Sequence, residues 1–214
     1  MFVRTNDGWT KQGHLFPDAR TSNDVHDFGF AVALDAAGDT LAVTEPTLHA
    51  QAIVNGRASG WSGFVHTYSR RTGAWLRTAV LPVPAGENAF WFGTAVALAA
   101  DGKTLAIGAA ATRDFGPFLE RRSVVFNTGG AGQVFVLGAT ADGWATLARI
   151  DPPHASWPDY FGSEDQFGHA IALSNDARTL LVGAWLEDFR GTPPGVRPRN
   201  DVVTWAGAGY LFGR

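Results

Sequence analysis

Apolar and polar positions alternate over short stretches, and the same alternation is written three times: DFGFAVALDAAGDTLAVTE from Asp27, WFGTAVALAADGKTLAIGA from Trp91 and QFGHAIALSNDARTLLVGA from Gln166. Each copy holds two apolar runs of strand length around a polar turn, which predicts a β-hairpin rather than a helix. The Phe-Gly anchors, Phe28-Gly29, Phe92-Gly93 and Phe167-Gly168, lie 64 and then 75 residues apart, too far for one hairpin per unit. The second strands are Thr40–Val43, Thr104–Ile107 and Thr179–Val182, and third strands are expected from Gly63, Gly132 and Gly209. A fourth phrase opens with tryptophan at Trp75 and Trp144. The third unit has no such phrase after it, whereas WTKQGHLF at the amino end begins with Trp9.

Four strand types in a fixed order, three times over, predict an all-β repeat protein of radially arranged blades. A flat sheet or a sandwich of hairpins would not need the same order each time. Small Ala31, Ala33, Ala95, Ala97, Ala170 and Ala172 let first strands crowd together near an axis, and a glycine after each Phe permits a close backbone approach. Phe28, Phe92 and Phe167 are expected to pack between blades, with Trp9, Trp75 and Trp144 filling the wider gaps on outer strands.

The FG starts, followed by TLAV, TLAIGA or TLLVGA and later by GAGQVFVL or GAGYLF, resemble FG-GAP repeats of integrin-α-like β-propellers, particularly their bacterial form. That likeness implies a β-propeller built from three four-stranded blades: residues 17–83, 84–158 and 159–214, with 1–16 supplying a terminal strand that closes a blade. It also suggests an extracytoplasmic or cell-surface setting, although the amino end has no apolar signal-peptide core. The compartment is left unassigned. Related repeats hold calcium in the loop between their first two strands, where several carboxylates converge. The corresponding turns here, Asp35–Asp39, Ala99–Lys103 and Ser174–Arg178, lack that set, so no cofactor or metal is expected.

Three blades leave two unfinished faces. Closure by a homodimer into a six-bladed ring, or membership of a longer propeller, would cover them. In the dimer, Trp9–Phe16 of one chain would complete the last blade of the other. The step from Val65 to Trp75 and from Val134 to Trp144 is ten residues, and from Leu211 through Arg214 to Trp9 it is twelve.

Composition narrows function more than fold. The 214 residues are 45% hydrophobic and 17% charged, with 26 glycines, 11 prolines and eight tryptophans, which suits a turn-rich folded protein. A net charge of -3 gives no reason to expect nucleic acid. No apolar run is long enough to cross a bilayer, so no membrane insertion is expected. With no cysteine, disulfides and thiolate metal sites are excluded.

The six histidines, His14, His26, His49, His66, His154 and His169, form no metal-ligand motif, and neither a GxSxG elbow nor a Walker loop occurs. The acidic pairs Glu164-Asp165 and Glu187-Asp188 flank the third hairpin; a solvated rim is the plainest reading, a cation site or paired carboxylates the sharper ones. Variation concentrates in the long connections between second and third strands, where a repeat scaffold can build a binding surface. Trp61, Arg113, Trp185, Arg197 and Trp205 are the candidates there, with Trp157 and Tyr160 in the connection leading to the third unit. The expected function is a noncatalytic recognition scaffold for protein or glycan. A hydrolase-like enzyme using loop carboxylates and a purely structural assembly module are the alternatives.

Overall fold

The computed structural model describes residues 1–16, 27–46, 52–54, 57–59, 63–87, 89–111, 132–153, 165–187, 189–190, 202–203 and 207–213. Among these there is no helix, and therefore none long and apolar enough to cross a membrane. The chain opens with a hairpin, β1 (Phe2–Thr5) against β2 (Gly8–Lys11). The first sheet then has the order β3 (Val32–Leu34), β4 (Thr40–Glu45), β7 (Phe64–Arg71), β8 (Ala74–Pro82). The middle sheet runs β9 (Phe90–Leu98), β10 (Thr104–Ala111), β11 (Gln133–Thr140), β12 (Gly143–Ile150). The third has β13 (Phe167–Leu173), β14 (Thr179–Ala184) and β17 (Ala208–Gly213). All pairings within these sheets are antiparallel meanders.

The connections between second and third strands contain short hairpins of their own, β5 (Ala52–Val54) with β6 (Arg57–Ser59) and β15 (Phe189–Arg190) with β16 (Val202–Val203). Neither was visible as a pattern, because a few β-branched residues without sustained alternation carry little strand signal.

Equivalence between the units extends to hydrogen-bond register. Val43 pairs with His66, Ile107 with Phe135 and Val182 with Tyr210, so these three third-strand residues occupy one repeated position. One expectation is corrected here. The counterpart of Gly63 and Gly132 is Gly207, not Gly209, because Gly183 pairs with Gly209 where Gly108 pairs with Val134. A slip of two residues leaves every side chain on its own face, so alternation alone did not distinguish the two glycines. From Gly209, the true counterpart of Val65, the distance through Arg214 to Trp9 is fourteen residues rather than twelve. Within the single chain, Trp9 lies on the β1–β2 hairpin and is exposed.

The outer strands are equivalent too. β8 and β12 each carry an extra residue at the same point, after Thr67 and after Val136 on their partners. Trp75 and Trp144 pair with the equivalent Arg70 and Ala139, and both pack onto a core from a half-buried position.

The sheets stack in series. Each has a front face bearing its anchor phenylalanine and an opposite back face, whose residues at the packing positions are small in the first two sheets, Ala42 and Ala106 among them. The front of the middle sheet (Phe92, Leu105, Ile107, Phe135, Leu137) forms one core with Ala42 and Val65 from the back of the first. The front of the third (Phe167, Leu180, Val182) does the same with Ala106 and Val134 from the back of the middle. Among the described residues the first sheet has no sheet in front of it; Met1, Leu15, Phe28 and Trp75 cover Leu41, Val43 and Tyr68 instead. Phe92 and Phe167 are therefore fully buried, and Phe28 is half-buried.

Candidate binding site at the loop end of the third sheet

Each anchor dipeptide makes an irregular turn that explains its glycine. Gly29, Gly93 and Gly168 all sit in the left-handed region, at φ of +91, +97 and +91°. The turn diverts the first strand out of its ladder, breaking register between Phe92 and Ala95 and between Phe167 and Ala170. Each anchor ring then meets the repeated third-strand position edge-on: Phe28 with His66 at 5.3 Å, Phe92 with Phe135 at 5.7 Å, and Phe167 with Tyr210 at 5.4 Å between centroids.

The repeated layer is apolar only in the middle sheet. In the first, His66 Nε2 lies 2.7 Å from Glu45 Oε2, both residues 1% exposed, and Glu45 stands where the middle sheet has Ala109. Sequence reading passed over this pair, since the two residues are 21 apart and neither belongs to a motif. The signal was present in the repeat: a histidine aligned with Phe135 and a glutamate aligned with an alanine.

In the third sheet the polar groups reach the surface. The left-handed Gln166 (φ +53°) precedes the anchor, and its Oε1 accepts a 2.7 Å hydrogen bond from Trp185 Nε1. His169 closes the same turn through its amide to the Gln166 carbonyl, and its ring stands 5.7 Å from the Trp185 ring at 56°. The Leu186 amide donates to the Asp165 carbonyl and the Gly207 amide to the Glu187 carbonyl, tying the loops together. Beneath them, burial, a hydrogen bond to Glu187 and the negative charges of Glu187 and Asp165 all push the Tyr210 phenol pKa upward. Tyr210 therefore stays protonated through neutral pH and donates to Glu187. Partial burial lowers the His169 pKa, which favours its neutral form.

The result is an indole 55% exposed, fixed edge-on by the Gln166 amide and flanked by the His169 imidazole, with the Tyr210–Glu187 hydrogen bond at the same loop end of the sheet. At the same positions the middle sheet has Trp91, Thr94 and Ala110, each at least half-buried. Of the seven candidate ligand contacts, Trp185 is placed in this site; Trp61, Arg113, Trp157, Tyr160, Arg197 and Trp205 lie outside the described residues. Of the acidic pairs, Asp165 and Glu187 both bear on Tyr210, while Glu164 and Asp188 are outside the described residues. Gln166, His169 and Tyr210 were not anticipated, because their convergence depends on the anchor turn and on the register of β17.

The turns compared above with calcium loops use their carboxylates locally. Asp35 Oδ1 accepts the Asp39 amide at 2.8 Å, Asp101 Oδ1 the Lys103 amide at 2.9 Å, and Asp176 Oδ1 the Ser174 hydroxyl and the Arg178 amide at 2.6 and 3.1 Å. Burial pushes the Asp35 carboxyl up, but amides of Asp39, Thr40 and Gly38 outweigh it and hold its pKa below the usual value. Among the described residues, no group of three or more His, Asp or Glu side chains is arranged to hold a metal ion.

No family model matches the chain, and no curated protein matches it. Among solved structures, a protein from Bacteroides uniformis proposed to be a 6-phosphogluconolactonase aligns with 98% of this chain and 67% of its own, at 11% identity and a TM-score of 0.35. A likeness that distant assigns neither fold nor activity.

Proposed function

We propose that the chain is a noncatalytic recognition module whose sheets are FG-GAP-type propeller blades, and that the loop end of the third blade binds glycan. The observation that carries this reading is the exposed Trp185 indole, held by Gln166 in a fixed orientation. A pre-positioned aromatic face suits the C–H face of a sugar ring, since little side-chain freedom remains to be lost on binding. The exposed His169 imidazole beside the indole offers a hydrogen-bonding partner for sugar hydroxyls. A protein ligand would use the same aromatic anchor.

The test is a glycan-array screen followed by titration of the wild-type chain and the Trp185→Ala and Gln166→Ala variants. Binding lost in Trp185→Ala and weakened in Gln166→Ala, with melting temperatures unchanged, is the expected result. Absence of any glycan ligand, alongside capture of a protein whose binding depends on Trp185, moves the reading to protein recognition. Turnover of a glycoside abolished by Glu187→Gln overturns the noncatalytic assignment.

A further inference from the structure

The described residues leave one front and one back face incompletely covered, and both belong to a packing relation that the chain already uses twice. On the back of the third sheet Leu211 is 72% exposed and Leu181 is also exposed. Their counterparts Ala42, Thr67 and Ala106 are buried by the next sheet, and Val136 packs against it. On the front of the first sheet the amino-terminal segment covers β4 and β7 but leaves β3 bare: Val32 is 62% exposed, with Leu34 exposed beside it. Their counterparts Val96 and Leu98, and Ile171 and Leu173, pack against the preceding sheet.

Two backbone features mark the same two ends. The hairpin turns are joined by a ladder in which the Ala36 amide donates to the Ala100 carbonyl and the Ala100 amide to the Asn175 carbonyl, each at 3.1 Å. Residues 36, 100 and 175 are equivalent, so the ladder ends with the Asn175 amide and the Ala36 carbonyl, neither of which has a backbone partner among the described residues. The anchor glycines behave alike. A Cβ on Gly93 would stand 3.1 Å from Thr44 Cβ, and one on Gly168 2.7 Å from the Gln133 carbonyl, whereas Gly29 has nothing within 4 Å. At the other end, a Cβ on Gly108 would collide with the Gly168 carbonyl, but its counterpart Gly183 meets only Ala170 of its own sheet.

We propose that the occupant of both faces is a second copy of this chain, the back of each third sheet receiving the front of the other's first sheet. Each open feature has its complement at the opposite end of the same molecule: Leu181 and Leu211 for Val32 and Leu34, the Asn175 amide for the Ala36 carbonyl, Gly183 for Gly29. Two chains joined this way satisfy both ends at once, which a two-fold pair requires. This inference does not depend on the glycan reading, since it uses neither Trp185 nor its neighbours.

The test is the solution mass of the wild-type chain from nanomolar to millimolar concentration, with Leu211→Asp and Val32→Asp variants. The expected result is a shift from 22.8 kDa to twice that value, abolished in either variant and partly restored by mixing the two, because the mixed pair keeps one intact contact. Both substituted residues are exposed, and circular dichroism checks that each variant is folded. A second readout needs no substitution: exchange of the Asn175 amide should slow as the wild-type chain associates. A mass that stays single, grows beyond two copies, ignores both substitutions or is not restored by mixing overturns the proposal, as does Asn175 exchange independent of concentration.

Discussion

The middle and third sheets share strand order, register and anchor turn, yet they differ in what surrounds them. The middle sheet is covered on both faces, and its repeated layer is a phenylalanine pair, Phe92 on Phe135, beside buried Ala109. Among the described residues the third is covered on its front alone, and its layer pairs Phe167 with Tyr210, which is hydrogen-bonded to Glu187. Burial removes water as a partner for polar groups, so the position holds apolar residues in the middle sheet and, in the first, the Glu45–His66 couple, joined through Nε2. A terminal sheet has access to water at its loop end and can carry carboxylates and an exposed indole there. The repeat thus differs along the chain, with apolar burial greatest where a sheet has neighbours on both faces and exposed polar and aromatic groups at the loop end of the third sheet.

The largest expected effect tests that difference through the anchors. Phe92→Ala removes a fully buried ring and should cost about 3–5 kcal/mol, whereas the half-buried Phe28 should cost about half as much when truncated. Urea melts of the two variants measure the difference, and equal losses would mean that neighbouring sheets do not set the cost.

The buried couple in the first sheet sharpens the comparison. Glu45→Ala or His66→Phe alone strands one member of a pair from which water is excluded, at a cost of about 3 kcal/mol. The double variant copies the middle sheet, where Ala109 and Phe135 hold these positions, and should recover most of that loss. A double variant no more stable than the singles would show that the two layers are not equivalent.

A smaller effect is expected for Tyr210→Phe, which copies Phe135 into the third sheet and removes one hydrogen bond, about 1 kcal/mol. Its pH dependence is more diagnostic. The folded-state pKa of Tyr210 is raised, so its contribution is complete below the unfolded value of about 10 and is lost as pH rises beyond it. Alkaline melts should therefore fall less steeply for Tyr210→Phe than for the wild type.

The strand order and the faces were legible in the sequence because alternation and the FG anchors recur in every unit. Trp75 and Trp144 were placed on outer strands for the same reason. The register of β17 was not legible, since Gly207 and Gly209 stand two apart and either choice preserves the alternation; hydrogen bonding selects between them. The convergence of Gln166, His169, Trp185, Glu187 and Tyr210 was hidden for a related reason. It is produced by a left-handed anchor turn and by pairing across a long connection, and neither is encoded in the spacing of the residues concerned.

The serial packing of front on back is tested most directly by residue-resolved amide exchange in dilute solution. The expected result is slowest exchange in β10 and β11, which have sheets on both sides, and faster exchange in β3 and β17, whose front and back faces respectively lie open. Protection in β17 equal to that in β10, or a middle sheet that opens before the outer two, would contradict it.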